Sequence, residues 1–154
     1  MPEFNTAYFG GLPAQPESVI EFPMGLPGFE SEHRFVLVEQ AINRPIVFLQ
    51  SLSRPDLCFV TLPVSLLCAD YDLSLSLEDL SALELQAPPT SLTGSDVLTL
   101  ALVTFAEAGP PTANLLAPIV VNWRKRLAIQ VIPADSPYSH RHPLGPSGQE
   151  VSCS

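Results

Sequence analysis

TANLLAPIVVNWRKRLAIQVI, residues 112–132, is the stretch on which the fold turns. In its first arm Ile119 and Val121 alternate with Val120 and Asn122. In its second, Leu127, Ile129 and Val131 alternate with Ala128, Gln130 and Ile132, the two-residue period of β-strands. Between the arms stands Trp123-Arg124-Lys125-Arg126, too densely charged to bury and therefore expected at the exposed tip of a hairpin. Pro110 and Pro111 stop whatever strand precedes, Asn114 is suited to bond its own backbone in an Asx-turn, and Pro118 fits the first residue of a strand.

Working outward, the same two-residue grammar recurs. Residues 18–22 predict a first strand, followed by a type II turn in which Pro27 supplies the fixed φ and Gly28 the positive one. Residues 33–39, 45–51 and 57–62 predict three more strands, each β-branched or aromatic and bounded by Pro, Asn or Asp. Residues 70–77 show the cleanest alternation, with Tyr71, Leu73, Leu75 and Leu77 opposite Asp70, Asp72, Ser74 and Ser76, and predict a half-buried strand. Its end doubles as a helix start: Ser76 caps, Asp79 reaches back, and Leu77, Leu80 and Leu83 follow helical spacing. Pro88 and Pro89 end that helix and residues 90–96 read as a polar loop. Residues 97–105 are apolar on both faces, which predicts a strand covered on both sides or curved into a barrel wall. Gly10 and Gly11 read as loop, Met1 to Phe4 stand outside the fold, and residues 138–144 read as a tether lying on the body.

The expected fold class is therefore all-β: a small antiparallel β-barrel-like domain with one short helix. The expected organisation is a partly flexible segment 1–17, a single domain 18–144 and a flexible tail 145–154. At 154 residues with 46% hydrophobic composition the chain is long enough for a real core and too apolar for disorder, and 17 prolines exclude a helical bundle. No run is long enough to span a bilayer as a helix and the start lacks a signal-peptide pattern, so a cytoplasmic protein is expected. Cys58, Cys68 and Cys153 are read as reduced thiols, the first two as buried hydrophobes.

Charge is the more informative property. The net charge is -9, and no basic residue lies between Arg54 and Arg124, whereas Asp56, Asp70, Asp72, Glu78, Asp79, Glu84, Asp96 and Glu107 do. Such a one-signed middle third suits solvation, and it equally suits the approach of a basic partner. Asp70, Asp72, Glu78, Asp79 and Glu84 are the candidate partner-binding residues.

Catalytic patterns are missing from the sequence. There is no G-x-S-x-G elbow, no H-E-x-x-H and no Walker-type lysine, since the single lysine, Lys125, sits at the predicted tip. His33 beside Glu32 is the one adjacent acid-base pair, and His140 and His142 flanking Arg141 the one two-ligand metal pattern. No cofactor or metal is expected. An alternative reading is a small nucleic-acid-binding β module using the tip from Trp123 to Arg126, by stacking and phosphate neutralisation.

Four stretches carry a resemblance. Thr112-Ala113-Asn114-Leu115 with Ala117-Pro118-Ile119-Val120-Val121-Asn122 resembles the C-terminal signature of the flagellar assembly factor family FliW. Ile20-Glu21-Phe22-Pro23 with Gly25-Leu26-Pro27-Gly28-Phe29-Glu30, then Phe48-Leu49-Gln50-Ser51, then Ser136-Pro137-Tyr138 with His142-Pro143-Leu144 resemble it in the same order. Gly25, Pro27, Gly28, Phe29, Gln50, Asn114, Pro118 and Asn122 are motif positions expected to act mainly on structure. The resemblance implies a barrel-like fold without catalysis. It further implies a partner switch that binds unassembled flagellin or the translational repressor carbon storage regulator (CsrA), with no direct contact to nucleic acid or membrane.

Overall fold

The computed structural model describes residues 3–6, 10–13, 19–87, 97–105, 107–133 and 135–144. Its strands are β1 (Glu3–Thr6), β2 (Gly10–Pro13), β3 (Val19–Glu21), β4 (Arg34–Glu39), β5 (Val47–Ser51), β6 (Cys58–Pro63), β7 (Val97–Thr104), β8 (Thr112–Ala113), β9 (Ile119–Asn122), β10 (Leu127–Gln130) and β11 (His142–Pro143). Two helices interrupt them, α1 (Val64–Leu67) and α2 (Leu77–Ala82). The order β7-β6-β5-β4-β3-β10-β9 closes on itself because β9 also pairs with β7, making a seven-stranded barrel. Every pairing in it is antiparallel except β3 with β10, where Leu127 stands opposite Glu21 and the Glu21 N–H donates to the Arg126 carbonyl at 2.9 Å.

The hairpin forms as expected. Leu127 pairs with Asn122, Ala128 with Val121, Ile129 with Val120 and Gln130 with Ile119, which leaves Trp123 to Arg126 as the connecting turn. Alternation along β9 sends Ile119 and Val121 into the barrel, where they join Ile20, Phe22, Phe35, Leu49, Leu100 and Ala128 in one cluster. Phe22 and Phe35 meet there edge to face, their centroids 5.1 Å apart.

Val120, on the opposite face of β9, is equally buried. It lies in a second cluster with Leu83, Val97, Ile129 and Val131, covered by Leu73, Leu75, Ala82 and Leu85. The wall formed by β7, β9 and β10 is thus coated outside by α2 and the segment 69–76. A third cluster, Val64, Cys68, Tyr71, Ala101, Ala113 and Leu115, continues that outer layer. This double coverage is why β7 reads as apolar on both faces: Leu98, Leu100 and Leu102 look inward and Val97, Ala101 and Val103 outward.

Residues 70–76 correct the sequence reading. They alternate as expected but form no strand. The wall beneath them is closed, with β7 already paired to β6 and β9, so no strand edge is free to receive them and they lie across the outside as a strap held by side chains. Tyr71 donates its hydroxyl to the Leu115 carbonyl and stacks on Tyr138 with centroids 4.2 Å apart, while the Tyr138 hydroxyl accepts from the Asp72 N–H at 2.8 Å. The tether 138–144 lies on the body as expected, through β11 pairing with β8.

Three smaller corrections follow. Among the described residues there are two α-helices where one helix was expected, because α1 is a single turn and too short to show periodicity. Gly10 and Gly11, read as loop, pair with Thr6 and Asn5, and Phe4 pairs with Leu12, so β1 and β2 form an antiparallel pair. Cys68 is disulfide-bonded, which corrects the reading of three reduced thiols at that position. The expected loop 90–96 and the tail 145–154 lie outside the described residues.

Candidate functional site

The motif positions hold turns. Phe29 donates its N–H to the Leu26 carbonyl at 2.7 Å across Pro27 and Gly28, and Gly28 has the φ of +86° that a type II turn demands at its third residue. Phe29 packs against the barrel cluster, its ring 5.5 Å from that of Phe59. Gln50 is fully buried, and its amide faces the carbonyls of Ser51, Pro55 and Leu57 at 2.9, 3.2 and 3.1 Å, which ties down the β5–β6 connection. Asn114 makes the Asx-turn, its Oδ1 accepting from the Leu116 and Ala117 N–H groups at 3.1 and 3.0 Å. Pro118 is buried just ahead of β9, and its carbonyl accepts from the Val131 N–H.

The acidic candidates divide by what else they do. Asp70 and Asp72 lie exposed on the strap, and Glu78 lies exposed in the first turn of α2. Asp79 is committed to the helix: Ser76 Oγ accepts its N–H at 3.1 Å and its Oδ2 accepts the Ser76 N–H at 3.0 Å, the expected capping box. Glu84, in the left-handed region at φ 54°, places Oε1 3.8 Å from Lys125 Nζ. Both side chains are more than half exposed, so this pair contributes little to stability. Leu77, between Ser76 and Glu78, is 84% exposed where the alternation placed it with the core.

The basic tip is split as well. Arg124, Lys125 and Arg126 are exposed, but Trp123 is half-buried against the barrel cluster, so its ring is not held out for stacking. A cleft of about 550 Å³ opens beside it, between the end of α2 and the hairpin, lined by Glu84, Leu85, Gln86, Asn122, Arg124 and Lys125. Asn122 donates from Nδ2 to the Leu83 carbonyl at 2.7 Å, while its buried Oδ1 has no partner. The sequence reading missed this cleft because its two sides lie some forty residues apart; the one signal was a lone amide in an apolar run.

The adjacent pair Glu32 and His33 is not assembled as an acid-base couple. His33 Nδ1 lies 2.9 Å from the Phe22 carbonyl, whereas Glu32 turns inward and accepts from the Ser51 and Ser53 hydroxyls. His142 is buried in β11, and burial lowers its pKa, while His140 is exposed, so the two imidazoles have different surroundings. Among the described residues no three His, Cys, Asp or Glu side chains form a group able to hold a metal, and no helix is long and apolar enough to cross a membrane.

Cys58 is a free thiol, and burial pushes its pKa up to about 11 from the ordinary 9.0. That leaves about a hundredfold less thiolate at neutral pH than an unperturbed cysteine holds. Alkylation of the folded protein by iodoacetamide at pH 8, followed at the Cys58 peptide by mass spectrometry, is expected to run slower than in the denatured chain by about that factor. Equal rates in the two states would show a reactive site.

Comparison with known proteins gives a consistent result. The family model described as FliW protein matches residues 3–144. A flagellar assembly factor FliW of Bacillus licheniformis is 38% identical over 142 residues, 92% of this chain and 95% of that protein. One of Bacillus subtilis is 33% identical over 142 residues, with the same coverage of both chains. A crystal structure of a flagellar assembly factor FliW superposes with a TM-score of 0.80 at 33% identity, covering 96% of this chain and all of the other.

Proposed function

The chain belongs to the FliW family, whose curated members bear the name flagellar assembly factor, and from that premise we propose that it is a non-enzymatic partner switch of flagellum assembly. It binds unassembled flagellin in the cytoplasm. Once flagellin is exported, the freed factor occupies the basic RNA-binding repressor carbon storage regulator, and flagellin messenger is translated.

The observation that carries this reading is the acid-bearing strap and helix. Asp70, Asp72 and Glu78 stand exposed on an outer layer anchored by Tyr71, Leu73, Leu75 and Leu83. Carboxylates on an anchored layer keep their spacing, which favours capture of a fixed pattern of cations over diffuse attraction. Exposed Leu77 adds an apolar contact within the same surface. An acidic antagonist seated on a basic RNA-binding protein also repels the RNA phosphates, so occupation and exclusion act together. Asp79 and Glu84 belong to this surface as positioning groups, through the cap and the Lys125 pair.

The test is co-purification and titration calorimetry with the carbon storage regulator, comparing the natural chain with Asp70→Lys, Asp72→Lys and Glu78→Lys combined. Asp79 is left in place because its loss would unmake the helix cap. Reversing three exposed charges is expected to weaken binding by about a hundredfold or more, with the thermal midpoint shifted by no more than a few degrees. A correctly folded variant that binds as tightly as the natural chain would move the interface elsewhere.

A further inference from the structure

Asn122 holds an unusual position for a polar side chain. It is 3% exposed, its Nδ2 is fixed on the Leu83 carbonyl at 2.7 Å, and that bond orients the amide so that Oδ1 is the atom left without a partner. Gln50 Oε1 and Thr99 Oγ1 are in the same condition, and Oδ1 is enclosed by protein, so the task of Asn122 is to tie β9 to the end of α2. Asn122 lines the cleft of about 550 Å³ between α2 and the hairpin tip. The rest of the lining defines what the cleft can take.

Two cations, Arg124 and Lys125, stand on one side. Arg124 forms no ion pair among the described residues, and Lys125 has only the long, solvent-screened contact to Glu84 that an incoming carboxylate can displace. Leu85 supplies an apolar wall, and Gln86 an amide able both to donate and to accept. A ligand that satisfies all of these carries a negative charge, an N–H or O–H donor beside it and some apolar surface. The space is too large for a lone carboxylate or phosphate.

We propose that this cleft is a second docking site, which takes an acidic peptide segment of a protein partner: a carboxylate on Arg124 and Lys125, and the neighbouring main chain on the Gln86 amide. Charge complementarity selects that occupant, because Arg124-Lys125-Arg126 is the single basic cluster on a chain of net charge -9. RNA fits less well. It would have to approach an acidic body through three cations, and Trp123 is packed against the barrel interior instead of being presented to a base. The site is opposite in charge to the acidic strap and stands whether or not that strap captures a basic partner. It also touches α2, since Asn122 and Lys125 hold the Leu83 carbonyl and Glu84 at that helix's end.

Trp123 packs against the barrel cluster and does not line the cleft, so binding is read by titration calorimetry. The full chain is titrated with a capped peptide of alternating glutamate and leucine, with the same peptide carrying glutamine for glutamate, with inorganic phosphate and with a single-stranded RNA oligomer. Expected is a saturable heat of binding with the glutamate peptide, at least about tenfold weaker in Arg124→Ala/Lys125→Ala, whose side chains are exposed and whose loss leaves the barrel intact. The glutamine peptide and phosphate are expected to give no saturable response. No saturation by the glutamate peptide, an equal response to the glutamine peptide or to phosphate, tighter binding of RNA, or indifference to the Arg124 and Lys125 change would each overturn the assignment.

Discussion

Gly25→Ala is expected to lose about 3 kcal/mol or more of folding stability, among the largest effects of any single methyl in this chain. Gly25 sits at φ +65°, and a Cβ placed on it would lie 2.6 Å from the Cα and carbonyl oxygen of Glu30. Those are backbone atoms of a closed turn, held by the Gly25 N–H on the Phe22 carbonyl and by the Leu26 and Phe29 exchange, so they cannot swing aside as a side chain can. The turn also delivers Leu26, 2% exposed, and Phe29 to the barrel cluster, so opening it removes apolar burial as well as hydrogen bonds. Gly28→Ala is the matched control. Its φ is +86°, but nothing lies within 4 Å of the added carbon, so the cost is the conformational one of about 1 kcal/mol. Urea unfolding followed by circular dichroism separates the two, and equal losses would mean that the close approach to Glu30 has no energetic weight.

Val120→Lys is expected to cost about 3–5 kcal/mol, because it buries an uncompensated ammonium among Leu83, Ile129 and Val131. On a barrel whose outer wall met solvent, the same change would fall within about 0.5 kcal/mol, as is expected here for the exposed Phe105→Lys. The measurement is therefore a direct reading of whether strap and helix coat the barrel. Limited proteolysis adds a second view: cleavage within residues 69–87 of the variant, ahead of the strands, would mark release of the coat from an intact barrel. A Val120→Lys protein that melts with the natural chain and resists protease there would contradict the double-sided wall. Release of the coat would also scatter Asp70, Asp72 and Glu78, so affinity for a basic partner should fall in step with protection.

Local patterns carried much of the fold. The alternation on either side of Trp123 to Arg126 fixed a hairpin and its tip, and the structure pairs Leu127 with Asn122 as that reading requires. Ser76 and Asp79 were legible as a capping box because both bonds span three residues of one segment. Pro27 and Gly28 were legible as a turn because their φ preferences are intrinsic. Residues 70–77 were misread for a related reason. Alternation reports that every second side chain is buried, and says nothing about whether the backbone between them finds a ladder partner. With the barrel closed, Tyr71 is buried and Leu73 and Leu75 partly so, while the chain that carries them pairs with no strand.

Candidate sites were less legible, because they join segments distant in sequence. Asp79 was legible as the partner of Ser76, whereas that Asp72 lies exposed on a strap anchored through Tyr71 and Tyr138 was not. Asn122 was a motif position with no visible task, and its bond to the Leu83 carbonyl exists only once β9 and the end of α2 are brought together.

Taken alone, the order of residues determined what neighbours along the chain can decide: strand period, turn chemistry, the helix cap, and a charge distribution with its cations gathered at one tip. Closure of the barrel through the single parallel contact of Leu127 and Glu21, the coating of its outer wall, and the cleft between α2 and the hairpin were decided by tertiary structure. Those features depend on which surfaces meet when segments far apart are brought together. Burial of both faces of β9 shows the reason: its outer partner is a strap some forty-five residues upstream, and no property of Ile119 to Asn122 specifies it.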